Sequence, residues 1–343
     1  MSRRRNKKKS VWLKIFIFIV ILVLAAVIFG RKGEEKEEET VWTEGSMLRI
    51  GDTQVDYREG MVYLNAVQQD YEQYYGSDIW KYAIDAQGNT MGEVIKEQTL
   101  EQIIYIKVVC QKASELGIVL SEEELQTVDA QTVDYMAKLQ ESDLLLHGVN
   151  ADIVRRIYSD NLLARKTFEV TTLNVDTDIP DEEAAQHKFQ TIAIRNFKID
   201  ASGNRVSYEG EELSELRARV ENLRTQALAT EDFYKLASAN TEDSTMLEVT
   251  GGKGDFPAVY EDKVLALETG EISEVIETTD YYYIFYCVTD FDIDATHEKK
   301  EEIIATRQEE EFRTRYKEWR EFIHIEVNEE VWDALDFDME SVG

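Results

Sequence analysis

The stretch between residues 189 and 289 constrains the fold of this chain most strongly. It opens with a strand pattern at residues 189–195, and a helix pattern follows that ends at residues 231–237. A glycine pair at residues 251–252 then precedes a last apolar strand at residues 281–288. Strand, helix, glycine loop, short helix and strand in this order predict one small α+β domain.

The length and charge of the chain limit the number of its domains and the kinds of partner it can bind. With 343 residues the chain is long enough for two or more domains, each with its own core. The formal net charge is −31, and residues 1–32 contain basic residues but no acidic ones, so the remainder is even more acidic. Because such a body repels phosphate backbones, we expect no nucleic-acid binding. The acidic charge is explained equally well if it serves only to keep the protein soluble.

An apolar run at residues 11–30, interrupted only by Lys14, follows a basic block. At about 1.5 Å per residue, this run can cross the ~30 Å hydrocarbon core of a bilayer. The preceding basic residues predict a single-pass membrane protein with a cytoplasmic N-terminus and extracytoplasmic domains. A cleaved signal peptide is the alternative. Residues 1–32 are thus the predicted tail and transmembrane anchor, and residues 33–46 are an acidic linker.

Residues 47–180 carry a hairpin signal followed by several helix signals. Asp56 with Glu59, and Ser121 with Glu124, have the spacing of capping boxes. Asn150 has the position of a further N-cap. We expect helices at about residues 92–116, 121–142 and 151–170. Residues 295–337 predict a charged helix followed by a short strand and a final helical turn.

Two sets of motifs resemble known families. The series "EDFYKLAS…GG…LALETGEISEVIET…YYYIFYCV", over roughly residues 187–290, resembles the parvulin peptidyl-prolyl isomerases. The motifs "LGIVLSEEEL" and "HGVNADIVRRIYSDNLLARK" resemble the N-terminal chaperone domain of the SurA/PrsA foldases. In that arrangement the tail after the isomerase packs back onto the N-terminal domain. The resemblance therefore implies an α+β protein in which residues 47–180 and 295–337 form one mostly helical lobe.

The resemblance also implies a site. Rotation about an X–Pro bond crosses about 18–20 kcal/mol and needs an apolar, water-poor pocket that favours the twisted imide. The family's pocket pair, four residues apart after the glycine loop, corresponds to Phe256 and Tyr260. Its acidic position corresponds to Asp243. Its two catalytic histidines fall on Thr191 and Tyr283, so both histidines are replaced.

Hydroxyl groups both donate and accept hydrogen bonds, so Thr191 and Tyr283 are expected to bond with Asp243. Structural explanations exist for the same residues. Asp243 would cap the polar loop, while Phe256 and Tyr260 would be core residues. Tyr283 would belong to a packed aromatic strand face. The glycine pair would need only a positive φ.

The sequence supports no cofactor or metal site. Cys110 and Cys287 each lie in an apolar run, which favours buried free thiols over a disulfide. The four histidines are far apart and lack metal-ligand spacing. Residues 200–211 look faintly like a calcium loop, but Arg205 stands where glycine is required, so we expect a hairpin turn there.

We therefore expect a membrane-anchored extracytoplasmic foldase for exported proteins, with prolyl isomerisation by the parvulin-like domain. Its partners would be unfolded or newly exported polypeptides and proline-containing peptides. Aromatic residues of the helical lobe would form a cradle for them, as we predict for Tyr63, Tyr71, Tyr74 and Trp80. The alternatives are a holdase whose isomerase fold has lost catalysis and a cell-surface assembly protein.

Overall fold

A computed structural model describes residues 41–139 and 143–337. The predicted anchor at residues 11–30 lies outside these ranges. Within them, no helix combines the length and the apolar character that crossing a membrane requires. The described residues form two compact units. The helical unit comprises the described residues up to 174 together with 310–337, and the sheet unit comprises residues 175–309.

The described residues contain nine strands and eleven α-helices. The strands are β1 (Ser46–Ile50), β2 (Thr53–Asp56), β3 (His187–Arg195), β4 (Phe197–Ile199), β5 (Arg205–Ser207), β6 (Glu248–Gly251), β7 (Ile276–Glu277), β8 (Tyr281–Thr289) and β9 (Ile325–Val327). The helices are α1 (Tyr57–Tyr75), α2 (Met91–Glu115), α3 (Glu122–Lys138), α4 (Asp143–Leu146), α5 (Ala151–Thr171), α6 (Asp181–Ala184), α7 (Gly210–Ala229), α8 (Phe233–Asn240), α9 (Glu261–Leu265), α10 (Ile293–Glu321) and α11 (Glu329–Asp333).

Local capping defines where the helices of the helical unit begin. The capping box of Ser121 and Glu124 is present at the start of α3, which confirms that prediction. The side chain of Asn150 accepts hydrogen bonds from the first backbone N–H groups of α5, as predicted. Helix α3 ends at Lys138, four residues before the predicted end at residue 142.

The capping box predicted for Asp56 and Glu59 is wrong. Asp56 does cap α1, because its side chain accepts a hydrogen bond from the backbone N–H of Arg58. Glu59, however, is buried and its carboxylate lies 2.6 Å from the Lys107 ammonium on α2. A buried carboxylate without a partner costs several kcal/mol, so the nearby ammonium outcompetes the exposed cap.

The core of the helical unit joins distant parts of the sequence. Apolar residues of α2 such as Ile103 and Val109 are buried at its centre. The C-terminal half of α10 contributes Phe312 and Tyr316 to the same core. The ring of Tyr316 lies 4.9 Å from that of Tyr105 on α2. The compact units divide near residues 174 and 310, whereas the predicted domain boundaries at 180 and 295 stay predictions.

The sheet unit contains a four-stranded antiparallel sheet with the order β6-β3-β8-β7. In the central pair, Ile192 lies opposite Ile284. Because side chains alternate along a strand, the sheet has two distinct faces. Ile192 and Ile284 face the core formed with α7 and α8. Phe189 and Phe285 face the opposite core, with residues of the segment 256–264. The predicted α+β class of this unit is confirmed.

The segment after β3 forms a hairpin. Strands β4 and β5 pair across a turn in which Asp200 accepts a hydrogen bond from the backbone N–H of Asn204. Gly203 has a φ of 83°, the left-handed conformation that glycine adopts without strain. The predicted hairpin turn is confirmed.

Candidate functional site

Three of the predicted site residues come together on one face of the sheet. The rings of Phe256 and Tyr260 lie 6.3 Å apart, and the Tyr260 ring lies 5.8 Å from that of Tyr283. All three are less than a tenth exposed. Phe189 and Phe285 lie beneath them in the same apolar cluster. These five residues form a packed aromatic cluster, which we call the aromatic pocket after the family site to which Phe256 and Tyr260 correspond.

The glycine pair allows the loop to pass close to its neighbours. A Cβ on Gly252 would lie 2.1 Å from the carbonyl oxygen of Ala185, and one on Gly251 would lie 2.9 Å from the Phe256 ring. Neither glycine is among those with positive φ. The expectation that the pair needs only positive φ is therefore wrong. These glycines are required because backbone and ring approach them too closely for any side chain.

Thr191 lies in β3 on the same face as Phe189 and is fully buried. Its backbone N–H donates to the Leu247 carbonyl at 3.1 Å. Its hydroxyl oxygen has no hydrogen-bond partner within the described residues. A buried hydroxyl left without a partner costs about 1–3 kcal/mol. Such a group marks a candidate site, because stability alone would favour an apolar side chain there.

Asp243 has a capping role in this structure. Its carboxylate accepts hydrogen bonds from the backbone N–H of Thr245 at 3.0 Å and from the Thr245 hydroxyl at 2.6 Å. These bonds cap the short 3₁₀ turn Ser244–Met246. Within the described part of the chain, no hydrogen bond joins Asp243 to Thr191 or Tyr283. The expected hydrogen-bonded group of three is not formed, and the alternative expectation, that Asp243 caps the polar loop, is confirmed.

The phenol of Tyr283 remains protonated at neutral pH. Burial, with smaller contributions from neighbouring Tyr260 and Asp243, raises the pKa of Tyr283 to about 12. Burial also raises the pKa of Tyr260. Both phenols therefore keep an O–H that can donate a hydrogen bond at the rim of the aromatic pocket.

Sequence reasoning missed the base of the pocket. Phe189 and Phe285 are fully buried and their rings lie 5.8 Å apart. The signal was available, since the two strands alternate and every second residue shares a face with Thr191 or Tyr283. The Phe285 backbone N–H is held by the hydroxyl of Ser273 at 2.9 Å, which no sequence pattern indicated.

The structure adds little nucleophilic or metal-binding chemistry to this pocket. Cys287 is buried as a free thiol, and burial raises its pKa to about 11. Cys110, on α2, is also free. Among the described residues, no group of His, Cys, Asp and Glu side chains could hold a metal ion. What the pocket offers is a group of apolar aromatic rings with two phenol donors.

The aromatic cradle predicted for the helical unit is partly wrong. Trp80 is buried, and its ring stacks on that of Phe337 with centroids 4.0 Å apart. Tyr63 packs against the core, and its hydroxyl accepts a hydrogen bond from Asn161. Both side chains are part of the core packing, so neither is available to bind a client. Tyr71 is partly buried, whereas Tyr74 is 65% exposed.

Two further exposed aromatics were missed in this region, Tyr75 at 67% and Tyr82 at 63% exposure. Together with Tyr74 they give an exposed aromatic surface near the end of α1, which we call the tyrosine surface. The rings of Tyr74 and Tyr75 lie 6.4 Å apart.

Comparison with known families defines the class of this protein. The model of the SurA-like N-terminal domain matches residues 1–143, and that of the PPIC-type PPIASE domain matches residues 203–289. The chain thus joins a SurA-like N-terminal domain to a parvulin-type peptidyl-prolyl isomerase domain, and PrsA foldases are among its homologues.

Curated relatives cover much of the chain at low identity. The foldase protein PrsA of Clostridium botulinum strain Langeland is 23% identical over 261 residues, which are 69% of this chain and 75% of the relative. The chaperone SurA of Thiobacillus denitrificans is 26% identical over 220 residues, 59% of this chain and 49% of that protein.

Solved structures also match. PrsA of Bacillus cereus has a TM-score of 0.36 at 16% identity, covering 74% of this chain and 96% of the other. PrsA of Lactococcus lactis has a TM-score of 0.33 at 12% identity, covering 84% and 96% respectively.

Proposed function

We propose that this chain is a membrane-anchored extracytoplasmic foldase whose sheet unit isomerises X–Pro bonds. The aromatic pocket carries the proposal, because it groups buried aromatic side chains on one face of the sheet within a parvulin-type domain. The names of the relatives, foldase protein PrsA and chaperone SurA, support a role in protein folding. The apolar run at residues 11–30 supports the anchor.

The proposed mechanism needs no covalent intermediate. Phe256 and Tyr260 would hold the proline ring in the apolar pocket and exclude water from the imide. Excluding water disfavours the planar, more polar imide and thereby favours the twisted transition state. As resonance is lost, the imide nitrogen becomes more basic. The protonated phenol of Tyr283 would donate a hydrogen bond in the twisted state. In this proposal the unpartnered hydroxyl of Thr191 acts from the strand beneath the pocket. The carboxylate of Asp243 acts through its charge.

A holdase without isomerase activity is the second candidate. It is favoured by one observation: among the described residues, the Asp243 carboxylate caps a turn and forms no hydrogen bond with Thr191 or Tyr283. The tyrosine surface would then bind unfolded clients through exposed aromatic side chains.

The deciding experiment is a prolyl isomerisation assay on the full chain with a proline-containing peptide. We expect catalysis, and we expect Tyr260→Ala to lower kcat/KM at least about tenfold because one wall of the pocket is lost. The matched control is Val259→Ala, since the neighbouring Val259 is 64% exposed. Asp243→Ala should lower the rate by a smaller factor, because this carboxylate acts on the Tyr283 phenol through its charge alone.

Because Tyr260 is buried, its truncation costs about 3–5 kcal/mol of stability and needs a folding check by circular dichroism. Tyr283→Phe keeps the ring and removes only the donor, so it tests the mechanism without a cavity. Absence of catalysis in the unsubstituted chain, beside suppressed aggregation of an unfolded client, would select the holdase.

The proposed anchor has its own test. Deleting residues 1–32 should move the protein from the membrane fraction to the soluble fraction. A chain that lacks these residues and still sediments with membranes would contradict the anchor.

A further inference from the structure

A groove lies on the opposite face of the sheet from the aromatic pocket. Its volume is about 730 Å³, within the range of about 300–1,000 Å³ that is usual for ligand sites. Gln190 and Tyr286 of the central strands form its floor. The end of α7 and the start of α8, from Ala227 to Tyr234, form one wall, and Gly270–Ile272 forms the other.

The groove is separate from the aromatic pocket for a geometric reason. Tyr286 and Phe285 are consecutive in β8, so their side chains point to opposite faces. The Tyr286 ring stacks on that of Phe233 at 5.2 Å in the core formed with α7 and α8. The Phe285 ring instead contacts Tyr260 in the aromatic pocket. A ligand in the groove therefore does not contact the aromatic pocket.

The charged residues that line the groove indicate which class of ligand it binds. Glu231, Asp232 and Glu271 line it, and among the described lining residues there is no lysine or arginine. Beside the carboxylates lie apolar side chains that solvent reaches, Leu228 at 59% and Tyr234 at 43% exposure. Carboxylates beside exposed apolar and aromatic groups complement a cationic side chain with an apolar neighbour.

The wall formed by Gly270–Ile272 is fixed to the sheet by backbone hydrogen bonds. The backbone N–H of Ser273 donates to Phe285, and that of Cys287 donates to Glu271. Ile272 lies between these bonds and opposite Tyr286, so its own N–H and C=O point away from β8 and from the groove floor. On this wall the groove therefore presents side chains to a ligand.

We propose that this groove is a second peptide site. It takes an extended polypeptide segment that carries lysine or arginine beside apolar residues. The Glu231 carboxylate binds the cation, and Leu228 and Tyr234 contact the apolar side chains. Asp232 and Glu271 accept backbone N–H groups of Lys235 and Glu268 and add negative charge to the groove. The site operates whether or not the aromatic pocket catalyses isomerisation, since the two lie on different faces.

The test is a fluorescence anisotropy titration of the full chain. The probe is a labelled peptide of alternating lysine and leucine, and its counterpart of alternating glutamate and leucine is the comparison. We expect the basic probe to bind and the acidic one not to bind. Glu231→Lys should raise the Kd of the basic probe about tenfold, since it reverses a charge within the groove.

Glu215→Lys is the matched control, because Glu215 is an exposed residue of α7 that does not line the groove. It changes the net charge by the same amount and should alter the Kd less than about twofold, since distant surface charges are screened. Leu228→Asn should raise the Kd about fivefold through lost apolar contact. A neutral proline-containing peptide should not displace the probe.

Three results would overturn the proposal. Equal weakening by Glu231→Lys and Glu215→Lys would show attraction to the net charge of the chain alone. Equal binding of the acidic probe would remove the charge argument. Displacement of the basic probe by the neutral proline peptide would assign both peptides to one site.

Discussion

A charged cluster of the helical unit and a buried hydroxyl of the sheet unit differ in whether their polar atoms are paired. In the helical unit, the Lys107 ammonium lies 2.6 Å from the carboxylates of both Glu59 and Asp160, and Arg156 lies 2.8 Å from Glu59. In the sheet unit, Thr191 is equally buried, yet its hydroxyl has no partner among the described residues.

The difference in pairing distinguishes a group that stabilises the fold from a group that is a candidate for function. Although burial opposes it, the two carboxylates raise the pKa of Lys107, so the charged cluster is held together by mutual attraction. Each charged group of the cluster is paired with a group of opposite charge. Thr191 has no such explanation, because an unpartnered buried hydroxyl lowers stability. The satisfied cluster thus belongs to folding, and the unsatisfied hydroxyl is the better candidate for a role at the pocket.

Breaking the charged cluster should give the largest effect. Glu59→Ala leaves a buried ammonium with one carboxylate fewer and should destabilise the protein by about 3–5 kcal/mol. Chemical denaturation of the full chain measures this. Glu318→Ala, at an exposed position of α10, is the control and should change stability by less than about 0.5 kcal/mol. Similar effects of the two substitutions would remove the structural role of the cluster.

Replacing the unpartnered hydroxyl should have the opposite sign. Thr191→Val keeps the shape and removes the hydroxyl, so it should stabilise the protein by about 1 kcal/mol while lowering any isomerase rate. The counterpart in the helical unit is Thr99→Val, since the buried Thr99 hydroxyl donates to the Ile95 carbonyl at 2.8 Å. That substitution should be neutral or destabilising. Destabilisation by Thr191→Val would mean that the hydroxyl has a partner, and the comparison would fail.

A partly exposed ion pair gives the smallest effect and extends the comparison to the surface. A hydrogen bond from Lys166 and the backbone N–H of Ser121 lower the pKa of Glu124 to about 2. Because the folded-state pKa lies below the ordinary value of 4.5, the stabilisation is present above that value. It is lost as the pH falls from 4.5 towards about 2.

Glu124→Gln should therefore destabilise by less than about 1 kcal/mol at neutral pH, since water screens the pair. The difference from the unsubstituted chain should shrink in the acid range, where both side chains are neutral. Unfolding midpoints measured across this range check the sign. A difference that does not change with pH would contradict the assigned pKa.

The candidate site was only partly predictable. The family resemblance indicated Phe256, Tyr260 and Tyr283, and the structure places these three on one face of the sheet. For Asp243 the sequence left two roles open, because a nearby backbone N–H and distant hydroxyls compete for the same carboxylate. Only the folded geometry of the turn at Ser244 decides which donor is closer.

What the sequence determined by itself is local. The caps at Ser121 and Asn150 and the turn at Gly203 depend on groups within a few residues, so the pattern contains the whole interaction. What the tertiary structure decided is nonlocal. The partner of Glu59, the burial of Trp80, and the carbonyl that excludes a side chain at Gly252 come from distant segments. Such contacts exist only after the chain packs, because packing alone brings these segments within bonding distance.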